Sequence, residues 1–209
     1  MSTAPEQRVA TSRLITQYGS VARSLGWQMN TLVDNAKLKK FVQCGLVPRY
    51  KAELFPSLDR TPVKDLNGKT VQLPDYLTSH GSPSLAIVVS NRSVTQKIVE
   101  TWYPVAEKNN LPLFEVVVVS DLLYRLLGFI FRSTVRSSTP KERRHLVLHA
   151  YPSKLSQDEE QLLGTANYLL VNAVLLDKNK NIRWRSNGMA DEEDKQSLAE
   201  AVAKLQSEK

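Results

Sequence analysis

Apolar residues along this chain gather into short runs set apart by turn-forming residues. Three runs are almost uninterrupted: Leu85–Val89 (LAIVV), Leu113–Val119 (LFEVVVV) and Tyr168–Leu176 (YLLVNAVLL). Runs of this length without polar alternation predict strands covered on both faces. Between the first two, Val94, Ile98, Trp102 and Val105 recur at helical spacing, which predicts a helix over residues 94–107 with one buried face. Strand, helix and strand at this separation make a βαβ unit with parallel pairing and a right-handed crossover.

The flanking segments carry weaker patterns. TPVKDLNGKTVQL reads as strand, turn and strand, with Asn67-Gly68 at the turn, both positions favouring positive φ. Pro74 closes that unit and Asp75-Tyr76-Leu77 starts a short helix. His145–Tyr151 (HLVLHAY) alternates and predicts a further strand. After Tyr168–Leu176, the turn Asp177–Asn181 leads into a return strand with Ile182 and Trp184 on one face and Arg183 and Arg185 on the other. Asp191 then caps a final helix with Glu192, Glu193 and Asp194 in its first turn and Leu198, Val202 and Leu205 as its buried stripe.

The order of these elements predicts an α/β fold: a thioredoxin-like mixed sheet flanked by helices, with an insertion before the last β-hairpin and an N-terminal helical extension. Residues 61–209 form the domain. Residues 41–60, with Pro48 and Pro56 and no sustained period, read as a linker holding one short helical turn. Residues 1–40 are an amphipathic extension in which Leu14, Tyr18, Val21 and Leu25 stack on one helical face while Arg13 and Arg23 turn away. No acid lies between Glu6 and Asp34, so this extension reads as a mitochondrial targeting segment, the alternative being a plain surface helix.

Charge sharpens this picture. Residues 1–40 and 132–144 together carry slightly more than the whole net charge of +7, and the rest of the chain is close to neutral. Basicity in two local features, without interleaved aromatics, argues against nucleic acid as a partner. Residues 120–131 (SDLLYRLLGFIF) put Leu122, Leu126, Phe129 and Ile130 together on a helix, directly before Arg132, Arg136, Lys141, Arg143 and Arg144. Asp121 and Arg125 and the short length exclude a membrane span. Two readings remain: a core helix laid on the sheet, or a helix meeting a hydrophobic client or an anionic membrane surface.

Candidate chemistry is sparse. The elbow after the first apolar strand, Ser90-Asn91-Arg92-Ser93, is where a thioredoxin-like enzyme carries its nucleophilic cysteine at a helix N-terminus. Here the chain has a single cysteine, Cys44, far from the elbow. A serine with no base near it in sequence cannot take over that role. No proline precedes the late strand, where thiol-binding members of the fold usually have one. His145 and His149 alternate on a strand with no acid or cysteine at ligand spacing, so no metal and no cofactor are expected, nor any catalytic residue.

The stretch DKNKNIRWRSNGMADEED carries a resemblance. With Asp177, Ile182, Arg183, Trp184, Gly188, Ala190, Glu192 and Glu193, it resembles the C-terminal signature of the mitochondrial ATP-synthase assembly family called ATP-ten, degenerate thioredoxin-like proteins. Phe55-Pro56-x-Leu58 and the cysteine-free elbow fit the same outline. The resemblance implies a non-enzymatic assembly factor, a chaperone for newly made ATP synthase subunit a, the hydrophobic proton-channel subunit. It implies a mitochondrial location, peripheral on the matrix side of the inner membrane. It also gives structural roles to Asp177, Ile182, Trp184, Gly188 and Ala190, and leaves Arg183 and Arg185 for an acidic partner or a carboxylate within the fold. Two other function classes stay open: a glutathione-transferase-type enzyme working through Ser90 or Ser93, and a mitochondrial RNA-associated factor using residues 132–144.

Overall fold

A computed structural model describes residues 45–58, 62–119, 128–152, 155–165 and 170–208. The amphipathic extension, 1–40, lies outside the described residues. Eight strands form one sheet: β1 (Glu53–Leu54), β2 (Val63–Asp65), β3 (Thr70–Val71), β4 (Ser84–Val89), β5 (Leu113–Val118), β6 (Val147–Ala150), β7 (Val171–Leu176) and β8 (Asn181–Asn187). The helices are α1 (Asp75–Ser79), α2 (Arg92–Glu100), α3 (Tyr103–Lys108), α4 (Gly128–Ser138), α5 (Gln157–Leu163) and α6 (Glu192–Ser207), with 3-10 turns at Arg49–Lys51 and Lys141–Leu146.

The spatial order is β1-β8-β7-β4-β5-β6-β2-β3. Strands β4, β5 and β6 run parallel, and β7 returns antiparallel on β4 with β8 beside it. This is the thioredoxin-like arrangement, with β6, α4 and α5 inserted before the last hairpin. The uninterrupted apolar runs are explained by position. In β4, Leu85, Ile87 and Val89 join the core under α2, α3 and α6, while Ala86 and Val88 join the opposite core with Phe114, Leu77 and Leu163. A central strand has no solvent face, so no polar alternation survives in it.

Four expectations change. The single helix over 94–107 is two, because Pro104 near the start of α3 cannot donate to a continuing ladder, and the chain breaks at Thr101-Trp102. Of the linker 41–60, the described residues 45–58 are docked: its helical turn is present, but β1 pairs with β8 and Phe55 and Leu58 are buried. In the β2–β3 turn only Gly68 takes positive φ, +92°, with its N–H donating to the Asp65 carbonyl.

The fourth concerns β8. Ile182 and Trp184 do not share a face. Trp184 pairs with Leu175 and Ile182 with Leu176, so Arg183 is the extra residue of a β-bulge. The bulge sends Ile182 into one core and Trp184 into the other. There Trp184 is fully buried, meets Trp102 edge-on at 6.0 Å between ring centroids, and donates its indole N–H to Ser197 Oγ of α6 at 3.2 Å.

Trp184→Ala is expected to cost about 3–5 kcal/mol, the range for deleting a buried aromatic. Urea-unfolding midpoints at constant m-value check this, and a loss below about 1 kcal/mol would contradict the packing.

Candidate functional site

The β4–α2 elbow stands at the carboxyl ends of the parallel strands, where open α/β sheets usually place their chemistry. Asn91 leaves the strand in an extended conformation (φ −140°) and caps α2, its Oδ1 accepting the Val94 N–H at 3.4 Å. Its carbonyl accepts both the N–H and the hydroxyl of Thr95, at 3.1 and 2.8 Å. Arg92, the first residue of α2, sends its Nε to Glu115 Oε2 on β5 at 2.6 Å.

Glu115 is the centre of the site. It lies on the same sheet face as Leu113 and Val117, under α2 and α3, and is 1% exposed. Tyr103 of α3 donates its hydroxyl to Glu115 Oε1 at 2.6 Å. Arg143, from the 3-10 turn after α4, lies 3.8 Å from the same oxygen, with its guanidinium 3.7 Å above the Tyr103 ring. Burial pushes the Tyr103 hydroxyl well above its ordinary value, and the neighbouring carboxylate pushes it further. A phenol so raised stays protonated, and both carboxylate oxygens are occupied, Oε2 by Arg92 and Oε1 by Tyr103. The array binds charge; it is not arranged for proton transfer.

His149 of β6 completes this face. Its register partner is Val117, two residues beyond Glu115, which puts His149 and Glu115 on the same side of the sheet. The imidazole is buried, with Nδ1 3.0 Å from the Tyr151 hydroxyl and Nε2 without a partner among the described residues. Burial lowers its pKa to about 4, helped by the charges of Arg92 and Arg132.

A second polar centre ties the far end of the sheet. Arg183 is 1% exposed and bonds Asp177 Oδ2 at 3.3 Å, Glu208 at 3.0 and 3.1 Å, and the Val47 carbonyl at 2.8 Å. Its own carbonyl accepts the Val47 N–H. The hydrogen bonds to Glu208 raise the Arg183 pKa and lower that of Glu208. Asp177 Oδ1 meanwhile accepts the Asn179 and Asn181 amides at 2.8 and 3.0 Å, shaping the turn.

The residues singled out from the sequence fall as follows. Arg183 is not open to a partner: burial and two carboxylates of the fold occupy it, as the bulge turns it inward. Arg185 pairs with Glu53 of β1 at 2.8 Å. Gly188 adopts φ +85°, a conformation only glycine takes freely, and its carbonyl accepts the Trp102 indole N–H at 3.0 Å. Ala190 donates its N–H to Thr101 Oγ1. Leu122 and Leu126 lie outside the described residues, as do the side chains of Phe129 and Ile130 on α4. Arg132 and Arg136 are on α4 itself, the first half-buried and the second exposed. Arg144 donates Nε to the Thr139 carbonyl at 3.1 Å and is engaged within the fold, whereas Arg143 approaches Glu115 only at 3.8 Å and stays part-exposed. Sequence reasoning missed Glu115 and Tyr103; a lone acid inside LFEVVVV was the available signal.

Comparison with known proteins adds a family and a set of folds. A family model described as "ATP10 protein" matches residues 19–205. No curated protein matches the chain. Among solved structures, a thio-disulfide isomerase from Thermus thermophilus is similar at 15% identity and TM-score 0.42, covering 74% of this chain and 95% of that one. A thiol peroxidase from Chromobacterium violaceum is similar at 12% identity and TM-score 0.42, covering 78% and 89%.

Two outcomes follow from the geometry. Glu115→Ala strands the largely buried Arg92 and is expected to cost about 3–5 kcal/mol, whereas Arg92→Met with Glu115→Leu recovers much of that loss in urea unfolding; a double variant as unstable as the single would contradict this. The second concerns pH. The unfolded His149 takes its proton near 6.5 and the folded one only near 4. Stability present above pH 6.5 therefore falls as pH drops toward 4, by up to about 1.4 kcal/mol per pH unit. In His149→Leu this part of the slope should vanish; an unchanged dependence of midpoint on pH would refute it.

Proposed function

The chain belongs to the ATP10 protein family, an ATP synthase assembly family, and from that premise we propose that it acts as a non-enzymatic chaperone for newly made subunit a. The match over residues 19–205 is the observation that carries this reading. Mitochondrial residence follows from the family's association with the mitochondrial enzyme; work on the matrix side of the inner membrane is the finer part of the proposal.

The chemistry of the elbow supports a binding role over catalysis. Where thiol enzymes of this fold activate a nucleophile, this chain has Arg92 neutralising Glu115. Ser90 donates to the Thr165 carbonyl at 3.5 Å, without a histidine among its partners in the described residues. No helix among the described residues is long and apolar enough to cross a membrane. Attachment to the bilayer is peripheral in this proposal, through Leu122, Leu126, Phe129 and Ile130 and the outward basic side chains of α4 and the turn after it. Arg136 and Lys141 are the exposed members of that run.

Affinity capture from mitochondria whose newly made organellar proteins are labelled tests the reading. Recovery of labelled subunit a with the parent, reduced several-fold in Arg136→Gln/Lys141→Gln, is the expected result. Capture that lacks subunit a would overturn the client assignment.

A further inference from the structure

At the elbow the balance of charge is incomplete. Arg92 and Glu115 neutralise each other at 2.6 Å. Arg143 reaches the same carboxylate only at 3.8 Å and leaves 30% of its side chain exposed. Arg132, half-buried on α4, has no ion pair among the described residues. Arg92 and Arg132 both lie within electrostatic reach of His149. Among the described residues, Arg92, Arg132 and Arg143 thus face one buried carboxylate, Glu115, which leaves two guanidinium charges in excess there.

The donors present at this place match a particular ligand chemistry. The Asn91 side chain caps the Val94 N–H, and the Arg92 amide precedes it at the positive end of the nine-residue α2. His149 Nε2 is a buried polar atom with no partner among the described residues, on an imidazole 3% exposed that faces the same side of the sheet as Glu115. When the Tyr151 hydroxyl donates to Nδ1 across their 3.0 Å contact, the imidazole proton sits on Nε2 and needs an acceptor. Leaving such a group unpaired is costly, and an oxygen ligand removes that cost.

We propose that Arg132, Arg143, His149 and the N-terminal end of α2 form a binding site for a phosphate group. The surplus of two positive charges equals the charge of a phosphomonoester dianion, whereas a single carboxylate leaves one guanidinium unmatched. Guanidinium forks suit phosphate oxygens geometrically, and a helix N-terminus adds amide donors and a favourable dipole. The site uses positions that the fold elsewhere devotes to a thiol, and it needs no covalent step. It stands independently of the client assignment above: phosphate recognition at this elbow and capture of a membrane subunit succeed or fail separately.

The phosphate can be free or part of a lipid headgroup, and one experiment separates the two. The full chain, labelled with ¹⁵N at histidine, is titrated with inorganic phosphate and, separately, with phosphatidylcholine vesicles with and without phosphatidic acid. Binding is quantified by calorimetry and the His149 Nε2 resonance is followed. Saturable binding that shifts this resonance, and that weakens at least tenfold in Arg132→Gln but less than twofold in Arg136→Gln, is the expected result. If it appears with inorganic phosphate the ligand is soluble; if only with vesicles containing phosphatidic acid, it is a headgroup. Because Arg132 supports no ion pair among the described residues, its replacement leaves the fold intact, and an unchanged unfolding midpoint checks this. No shift of His149 in either titration, or equal weakening by the two substitutions, would overturn the proposal.

Discussion

A buried guanidinium needs acceptors on every side, and at Arg183 the fold supplies them from three separate segments. Asp177 comes from the β7–β8 turn, Glu208 from the end of α6, and the Val47 carbonyl from the chain entering β1. Each of these pieces is weak alone: β1 is two residues long, and α6 would fray at its last turn. Joined through one cation, they close the edge of the sheet and hold the terminal helix over Trp184. The requirement that Arg183 be satisfied also explains the bulge, since only an extra residue in β8 turns this side chain inward while Ile182 and Trp184 fill opposite cores.

Glu115 imposes the same requirement at the other end of the sheet. A carboxylate on a central strand, under helices α2 and α3, is tolerated because Arg92, Tyr103 and Arg143 converge on it. That convergence connects the elbow, the α2–α3 break and the insertion that carries α4. It also changes what the elbow offers. The helix dipole that would stabilise a thiolate in a thiol enzyme here lies beside an arginine already engaged by an acid. The place keeps its electrostatic character and gives up the nucleophile, which suits a protein of an assembly family.

Parts of this were legible in the order of residues. Leu85–Val89 and Leu113–Val118 announce central strands because burial on both faces removes polar alternation, and Asp191 with Asp194 announces the start of α6 through a capping box. The signature residues Asp177, Trp184 and Gly188 point to a family before any contact is known. Other features were illegible for a physical reason. Phe55 and Leu58 look like linker residues because β1 gains its hydrogen bonds from β8, more than a hundred positions away. The partners of Glu115 are spread over α2, α3 and the turn after α4, so no local spacing reveals them.

Element order, the thioredoxin-like class and the loss of the thiol can be read from residue order, because hydrophobic period, capping chemistry and the presence or absence of a cysteine are local properties. Tertiary structure alone decided which charges are spent inside the fold. Arg183 and Arg185 alternate like solvated strand residues, and a one-residue bulge, invisible to a period of two, buries the first and pairs the second with β1. Whether an arginine serves the fold or a partner depends on what lies across the sheet from it, and that is set by the packing of distant segments.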